Sequence, residues 1–264
     1  MRYIHDRWEK VRGRVDVFIS MLPGNIRYLS SPSLQEPPLN AVVISEKEVA
    51  GFSSRMEEAR AKELTEVEEV KIFSDLGYSK SLKSGLRKYL RSLGKERIMS
   101  DKNLDLRPFR VKKESLVEKL RRVKSEDEIR KIRKSISIAE SVGEKLADLA
   151  SQTNTELDLS REIDYELIKR AQGLSFKTMV ASGKNSRYPH HEPTPAKLEG
   201  AVVCDFGAFY GGYCSDLTRT FFVGKEKERE RFDEIYSIVE NSQGSAIEKI
   251  KRGVSYEGKK RTHS

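Results

Sequence analysis

The chain has 264 residues, 50 Lys and Arg against 41 Asp and Glu, a formal net charge of +9, and 37% hydrophobic beside 34% charged residues. That length fits two modest domains or one large one, and the composition is that of a soluble protein with a heavily charged surface. No apolar run approaches the roughly 20 residues of a membrane span, the N-terminus lacks a signal-peptide core, and two cysteines, Cys204 and Cys214, are too few for a disulfide framework, so a cytoplasmic location is expected.

Short apolar runs alternate with polar helical stretches over the first 112 residues. Residues 15–20, 41–45 and 70–73 read as strands, and residues 56–63 and 81–93 as helices, the second stopped by Gly94. This order implies an α/β domain with helical crossovers. A linker helix is expected within residues 113–124. Ser125 and Glu128 then form a capping box, each side chain reaching the other's backbone N–H, so a new helix starts there. Ile129, Ile132, Ile136 and Ala139 give that helix one apolar face. A helix over 155–172, a strand over 176–181 and a long helix over 232–251 follow. Beyond Gly253 apolar periodicity is nearly lost, and residues 258–264 read as an unstructured basic tail or a frameshift scar.

Between the last strand and the last helix, two β-branched and aromatic runs flank Gly211-Gly212, the signature of a hairpin with an aspartate on each arm. Centred between Tyr210 and Gly211, the hairpin sets Asp205 opposite Asp216; centred on Gly211, it sets Asp205 opposite Leu217. Opposed carboxylates with Cβ atoms roughly 5 Å apart destabilise a ladder unless a cation lies between them. A pair of divalent metal ions bridged by carboxylates removes that repulsion. The plain alternative is two solvated acids on an exposed sheet face. In the first register Cys214 shares the aspartate face and Cys204 points the other way, so the two are expected to be unbonded, with Cys214 either a thiolate ligand or a small buried hydrophobe. Elsewhere bases interleave with acids, as over 225–231. This describes a solvated helical face, and neither a nucleic-acid nor a membrane partner is expected.

Asp205, Gly207, Gly212, Tyr213, Ser215, Asp216, Thr218, Arg219 and Thr220 fill the pattern Asp-x-Gly…Gly-Tyr-x-Ser-Asp-x-Thr-Arg-Thr, which resembles the first metal-ligand segment of the pita-bread metallopeptidases. That family includes prolidase, Xaa-Pro aminopeptidase, methionine aminopeptidase and creatinase. Residues 180–191, a Ser-Gly turn followed by Pro-His, resemble the family's substrate-side signature and put His190 on its active-site histidine. Asn25-Ile-Arg-Tyr-Leu-Ser30 resembles its non-catalytic N-terminal domain, and residues 124–129 resemble the start of its catalytic domain.

The resemblance implies a creatinase/prolidase-like α/β N-terminal domain over 1–112, a linker helix over 113–124, and the first half of an α+β pita-bread catalytic domain over 125–264. It implies Asp205 and Asp216 as metal ligands, His190 as a substrate or transition-state contact, and two divalent ions (Mn, Co, Fe or Zn). The implied activity is hydrolysis of the bond before proline in proline-containing peptides, by a homodimer formed through the N-terminal domain. A non-catalytic peptide- or nucleic-acid-binding module is the alternative. The family site takes five ligands: two Asp, one His and two Glu. None of His5, His190, His191 and His263 stands in the family's Gly-His-Gly setting, and no Glu-Pro-Gly segment is present. The chain is therefore expected to be truncated within the catalytic domain, to bind metal weakly, to be inactive alone, and to leave Val180, Val203 and Phe221 uncovered.

Overall fold

The structure, a computed structural model, describes residues 2–73, 78–251 and 253–254. The chain divides into two compact units. The first holds residues 1–139, 167–175 and 207–215, the second residues 140–166, 176–206 and 216–264.

The first unit is built on a six-stranded sheet. In chain order it has α1 (Arg2–Arg12), β1 (Val17–Ser20), α2 (Pro23–Ser30), β2 (Ala41–Ser45), β3 (Val49–Ser54), α3 (Glu58–Leu64), β4 (Glu69–Phe73), α4 (Tyr78–Leu93), β5 (Ile98–Ser100), β6 (Val111–Lys113) and α5 (Leu116–Arg122). The strand order is β4-β3-β2-β1-β5-β6, with β2 antiparallel to both β1 and β3 and the other pairs parallel. Strands β1 to β3 are buried on both faces, which is why β1 and β2 read as unbroken apolar runs. Phe18, Val42 and Ile44 join Trp8, Leu29 and Val117 in one cluster. Ile19, Val43 and Phe52 join Leu82, Leu86 and Leu90 of α4 in the other. Each such side chain contributes roughly 1.5–3 kcal/mol on burial.

The helix expected within residues 113–124 is present as α5, inside the first unit, and α6 (Glu126–Gly143) begins at the expected capping box. Ser125 N–H donates to Glu128 Oε2 at 2.9 Å, and Glu128 N–H donates to Ser125 Oγ at 3.3 Å. Glu128 also accepts from Arg7 and, at 2.6 Å, from the Tyr213 hydroxyl. The helices α7 (Leu146–Gln152) and α8 (Glu156–Ile168) follow. Next come β7 (Gly173–Leu174), β8 (Met179–Ser182), β9 (Gly200–Phe206), β10 (Ala208–Tyr210), β11 (Tyr213–Cys214), β12 (Leu217–Val223) and α9 (Glu226–Glu248). In the first unit β10 pairs with β11 and β7; in the second, β9 lies between β8 and β12, antiparallel to each. Residues 258–264, read above as a tail, lie outside the described residues. Among the described residues no helix is long and apolar enough to cross a membrane.

Candidate active site

The hairpin forms, in a register that neither sequence reading gave. Tyr210 pairs with Tyr213, and Gly211 and Gly212 make a two-residue turn with φ of +58° and +91°. A type I′ turn needs positive φ at both central residues, so both glycines are spent in it and the turn centre falls between them. Asp205 therefore pairs with Thr218, not with Asp216 or Leu217, and its other neighbour on the central strand is Met179. Asp216 stands just before β12 and outside the ladder.

The two carboxylates nevertheless act on one another. Burial pushes the Asp205 carboxyl above its ordinary range, the Thr218 hydroxyl at 3.1 Å opposes the rise, and the neighbouring Asp216 adds to it by charge and by hydrogen bonding. On β9 the side chains of Val202, Cys204 and Phe206 are buried, so Asp205 lies on the opposite, half-open face with Ala201 and Val203. Two acids in this state present the hard oxygen donors that divalent cations take, and a cation would relieve the repulsion that raises Asp205. In that respect the residues fit a metal. Among the described residues no group of three or more His, Cys, Asp and Glu side chains is placed to hold one.

His190 lies exposed on the segment that leaves β8, and it makes no hydrogen bond or ion pair to either aspartate. The next residue is the anchored one. His191 Nε2 is 2.8 Å from Glu156 Oε2, and Glu156 is fully buried at the start of α8. The same carboxylate accepts from Ser182 N–H at 2.7 Å, Asn185 Nδ2 at 3.0 Å, Thr194 N–H at 3.1 Å and Thr194 Oγ1 at 2.7 Å. Burial alone would raise its pKa; the donors from Asn185, His191, Thr194 and Ser182 outweigh burial and hold it below the ordinary value. Glu156 thus ties both ends of the segment that carries His190. Sequence reasoning missed it, because a Glu in the first turn of a helix ordinarily reads as an exposed complement to the helix dipole.

Both cysteines are free thiols, as expected. Cys204 is buried, and burial pushes its thiol up to about 12. Cys214 is exposed, which corrects its reading as a small buried hydrophobe: β11 is a two-residue strand at the hairpin tip, too short to be covered on both faces.

The expected uncovered patch is also corrected. Val180 is fully buried, while Val203 and Phe221 are half-buried. Exposed apolar side chains of the second unit include several on α9, where Ile238 and Val239 are 60% and 62% accessible. Phe222 reaches this helix, its ring 5.5 Å from that of Phe232.

The sequence profile of metallopeptidase family M24 matches residues 130–259. The chain is 39% identical over 136 residues to a Mycoplasma genitalium protein provisionally named Xaa-Pro aminopeptidase, covering 50% of this chain and 38% of that protein. It is 30% identical over 227 residues to an uncharacterised peptidase of Methanocaldococcus jannaschii, covering 81% and 60%. The chain thus spans less than two thirds of either relative's length. Among solved structures, the Xaa-Pro dipeptidase of Bacillus anthracis superposes with a TM-score of 0.78 at 25% identity over 95% of this chain and 73% of that one. The prolidase of Thermococcus sibiricus gives 0.77 at 25% identity over 96% and 73%. With the aspartate hairpin, the matching profile and this shared mixed α/β fold in agreement, residues 130–259 of the chain belong to the pita-bread metallopeptidase family M24.

Proposed function

We propose that this chain carries part of the site of a cytoplasmic Xaa-Pro metallopeptidase, and that it does not complete that site by itself. The observation that carries the reading is the closeness of Asp216 to Asp205 at the base of the hairpin, where burial first and then the neighbouring Asp216 raise the Asp205 carboxyl above its ordinary range. In this reading residues 1–112 are the non-catalytic domain through which two copies associate, 113–124 the linker, and 125–264 the first half of the catalytic domain. Asp205 and Asp216 supply two carboxylate ligands, and Thr218 steadies Asp205 through its hydroxyl. His190, left free while its neighbour is anchored, contacts the peptide.

Divalent ions of the Mn, Co, Fe or Zn type, when bound, supply Lewis acidity toward the carbonyl before proline. That chemistry suits a proline bond, whose nitrogen carries no N–H for a protease to grip. The absence of a Gly-His-Gly or Glu-Pro-Gly segment from the 264 residues supports a source outside them for the remaining His and Glu ligands.

Calorimetric titration with Mn²⁺ tests the reading. Weak binding that Asp216→Asn abolishes is the expected result. Tight uptake of two ions per chain, or binding unchanged in the variant, would overturn it.

A further inference from the structure

Cations that are far apart in the sequence converge in the first unit on two open clefts of 380 and 640 Å³. Arg27, Arg121, Arg122 and Lys124 line the smaller beside Glu118, and Arg7, Lys10, Arg14, Lys119 and again Lys124 line the larger beside Asp6. Tyr28 and Glu128 also line both, so the clefts adjoin.

Elsewhere on the surface this basic chain pairs its charges locally: Arg60 with Glu57, Lys62 with Glu58, Lys131 with Asp127. Of the eight cleft cations, Arg7 pairs with Glu128 and Lys119 with Glu114, while among the described residues the other six make no ion pair. Arg121 instead donates to the Asn25 side chain at 2.8 Å, and Arg27 lies over the Phe209 ring. Glu128, which lines both clefts, is already engaged by Arg7, Tyr213 and Ser125.

Eight cations against three lining carboxylates, Asp6, Glu118 and Glu128, leave six cations without an ion pair and a positive local potential, which draws in anions. The guanidinium fork of arginine matches phosphate oxygens in pairs, and three of the four cations of the smaller cleft are arginines. A single carboxylate would neutralise one of the six; a row of phosphates meets several at once. We propose that these clefts bind a polyphosphate anion, either a free nucleotide-like ligand or the backbone of a single nucleic-acid strand. The smaller cleft has the volume of a small-molecule site. The proposal does not depend on the peptidase reading, since it uses none of Asp205, Asp216 and His190.

Two probes test it at low salt: inorganic tripolyphosphate by calorimetry, and a short labelled oligouridylate by fluorescence anisotropy. Arg122 and Lys124 are exposed, so Arg122→Ala/Lys124→Ala leaves the core intact. It should weaken binding about tenfold or more and flatten the salt dependence by about one unit of log–log slope per lost phosphate contact. Lys225→Ala/Lys227→Ala, on exposed residues of the second unit, should bind as the parent does. Binding of tripolyphosphate that displaces the strand assigns a free ligand, and strand binding that tripolyphosphate does not displace assigns a backbone. Failure of both probes to bind, or equal weakening by the two double variants, would overturn the proposal.

Discussion

Glu156 and His191 share a hydrogen bond of 2.8 Å inside the second unit, and the bond selects between adjacent histidines: His191 is held, and His190 is left to solvent. The carboxylate has no accessible surface and five protein donors, so it behaves as a staple across residues 182–194. Removing it leaves buried donors without an acceptor. Glu156→Ala should therefore destabilise the fold by roughly 3–5 kcal/mol, read from urea unfolding midpoints. The pH dependence has a definite sign. The folded pKa of Glu156 is lowered, so its contribution is fully present above the unfolded carboxyl value and is lost as pH falls through the folded one. The stability gap between the parent and Glu156→Gln should accordingly shrink in acid. A gap that widens there, or an alanine variant as stable as the parent, would contradict the staple.

The thiols should separate cleanly by reactivity. Cys214 is exposed, whereas Cys204 is buried with its thiol pushed up to about 12. Near neutral pH only about one Cys204 in ten thousand or fewer is thiolate, and the thiolate is the reactive form. One equivalent of thiol should react rapidly with an aromatic disulfide reagent in the native protein, and the second only after denaturation. Cys214→Ser should remove the fast phase. Two fast thiols in the native chain would mean that the packing around β9 is wrong.

Much of the scaffold was legible because single residues carried it. Ser125 and Glu128 are three apart and cap each other, so α6 could be started at the right place from two letters. β1 and β2 are buried on both faces and therefore read as unbroken apolar runs. β3 was missed because Gly51, Ser53 and Ser54 dilute its apolar signal; its burial comes from neighbours on both faces. α1 carried a signal that went unread, with Ile4, Trp8 and Val11 at helical spacing and all buried. Site residues were legible where chemistry sits in a short motif, as in the Asp205 to Thr220 segment. Glu156 was not, because its burial makes sense only once Ser182, Asn185, His191 and Thr194 fold over it. The basic clefts were hidden for the same reason, their cations lying at 7–14, 27 and 119–124.

The hairpin turn gives a graded test of the register. Gly212 has a φ of +91°, and a Cβ placed there would lie 1.6 Å from the Pro32 carbonyl oxygen. Gly94 has a φ of +62° with nothing within 4 Å. Both substitutions to alanine strain the backbone, by roughly 1–2 kcal/mol for a left-handed residue. Only Gly212→Ala adds a backbone clash. Gly94→Ala should lower stability by about 1 kcal/mol and Gly212→Ala by clearly more, with chemical denaturation giving both values. Equal effects would mean that the turn does not sit between Gly211 and Gly212, and the pairing of Asp205 with Thr218 would fall with it.

The purified chain should show no hydrolysis of Xaa-Pro dipeptides and no release of residues before proline, with or without added Mn²⁺ or Co²⁺. Cleaving an amide near neutral pH requires a polarised carbonyl, an activated nucleophile and a group that carries a proton to the leaving nitrogen. Asp205 and Asp216 address the first two needs only in part, as two carboxylates leave most of a metal's coordination to water. Burial keeps the Asp205 carboxyl above its ordinary value, which further weakens it as a ligand unless a cation is already present. No third His, Cys, Asp or Glu joins them among the described residues, and His190 makes no hydrogen bond or ion pair to either aspartate. A chromatographic assay for free proline, run beside a thermal melt that confirms a folded chain, decides the matter. Turnover well above buffer that Asp205→Asn abolishes would show that these 264 residues complete the site after all, and the proposed outside source of ligands would be wrong.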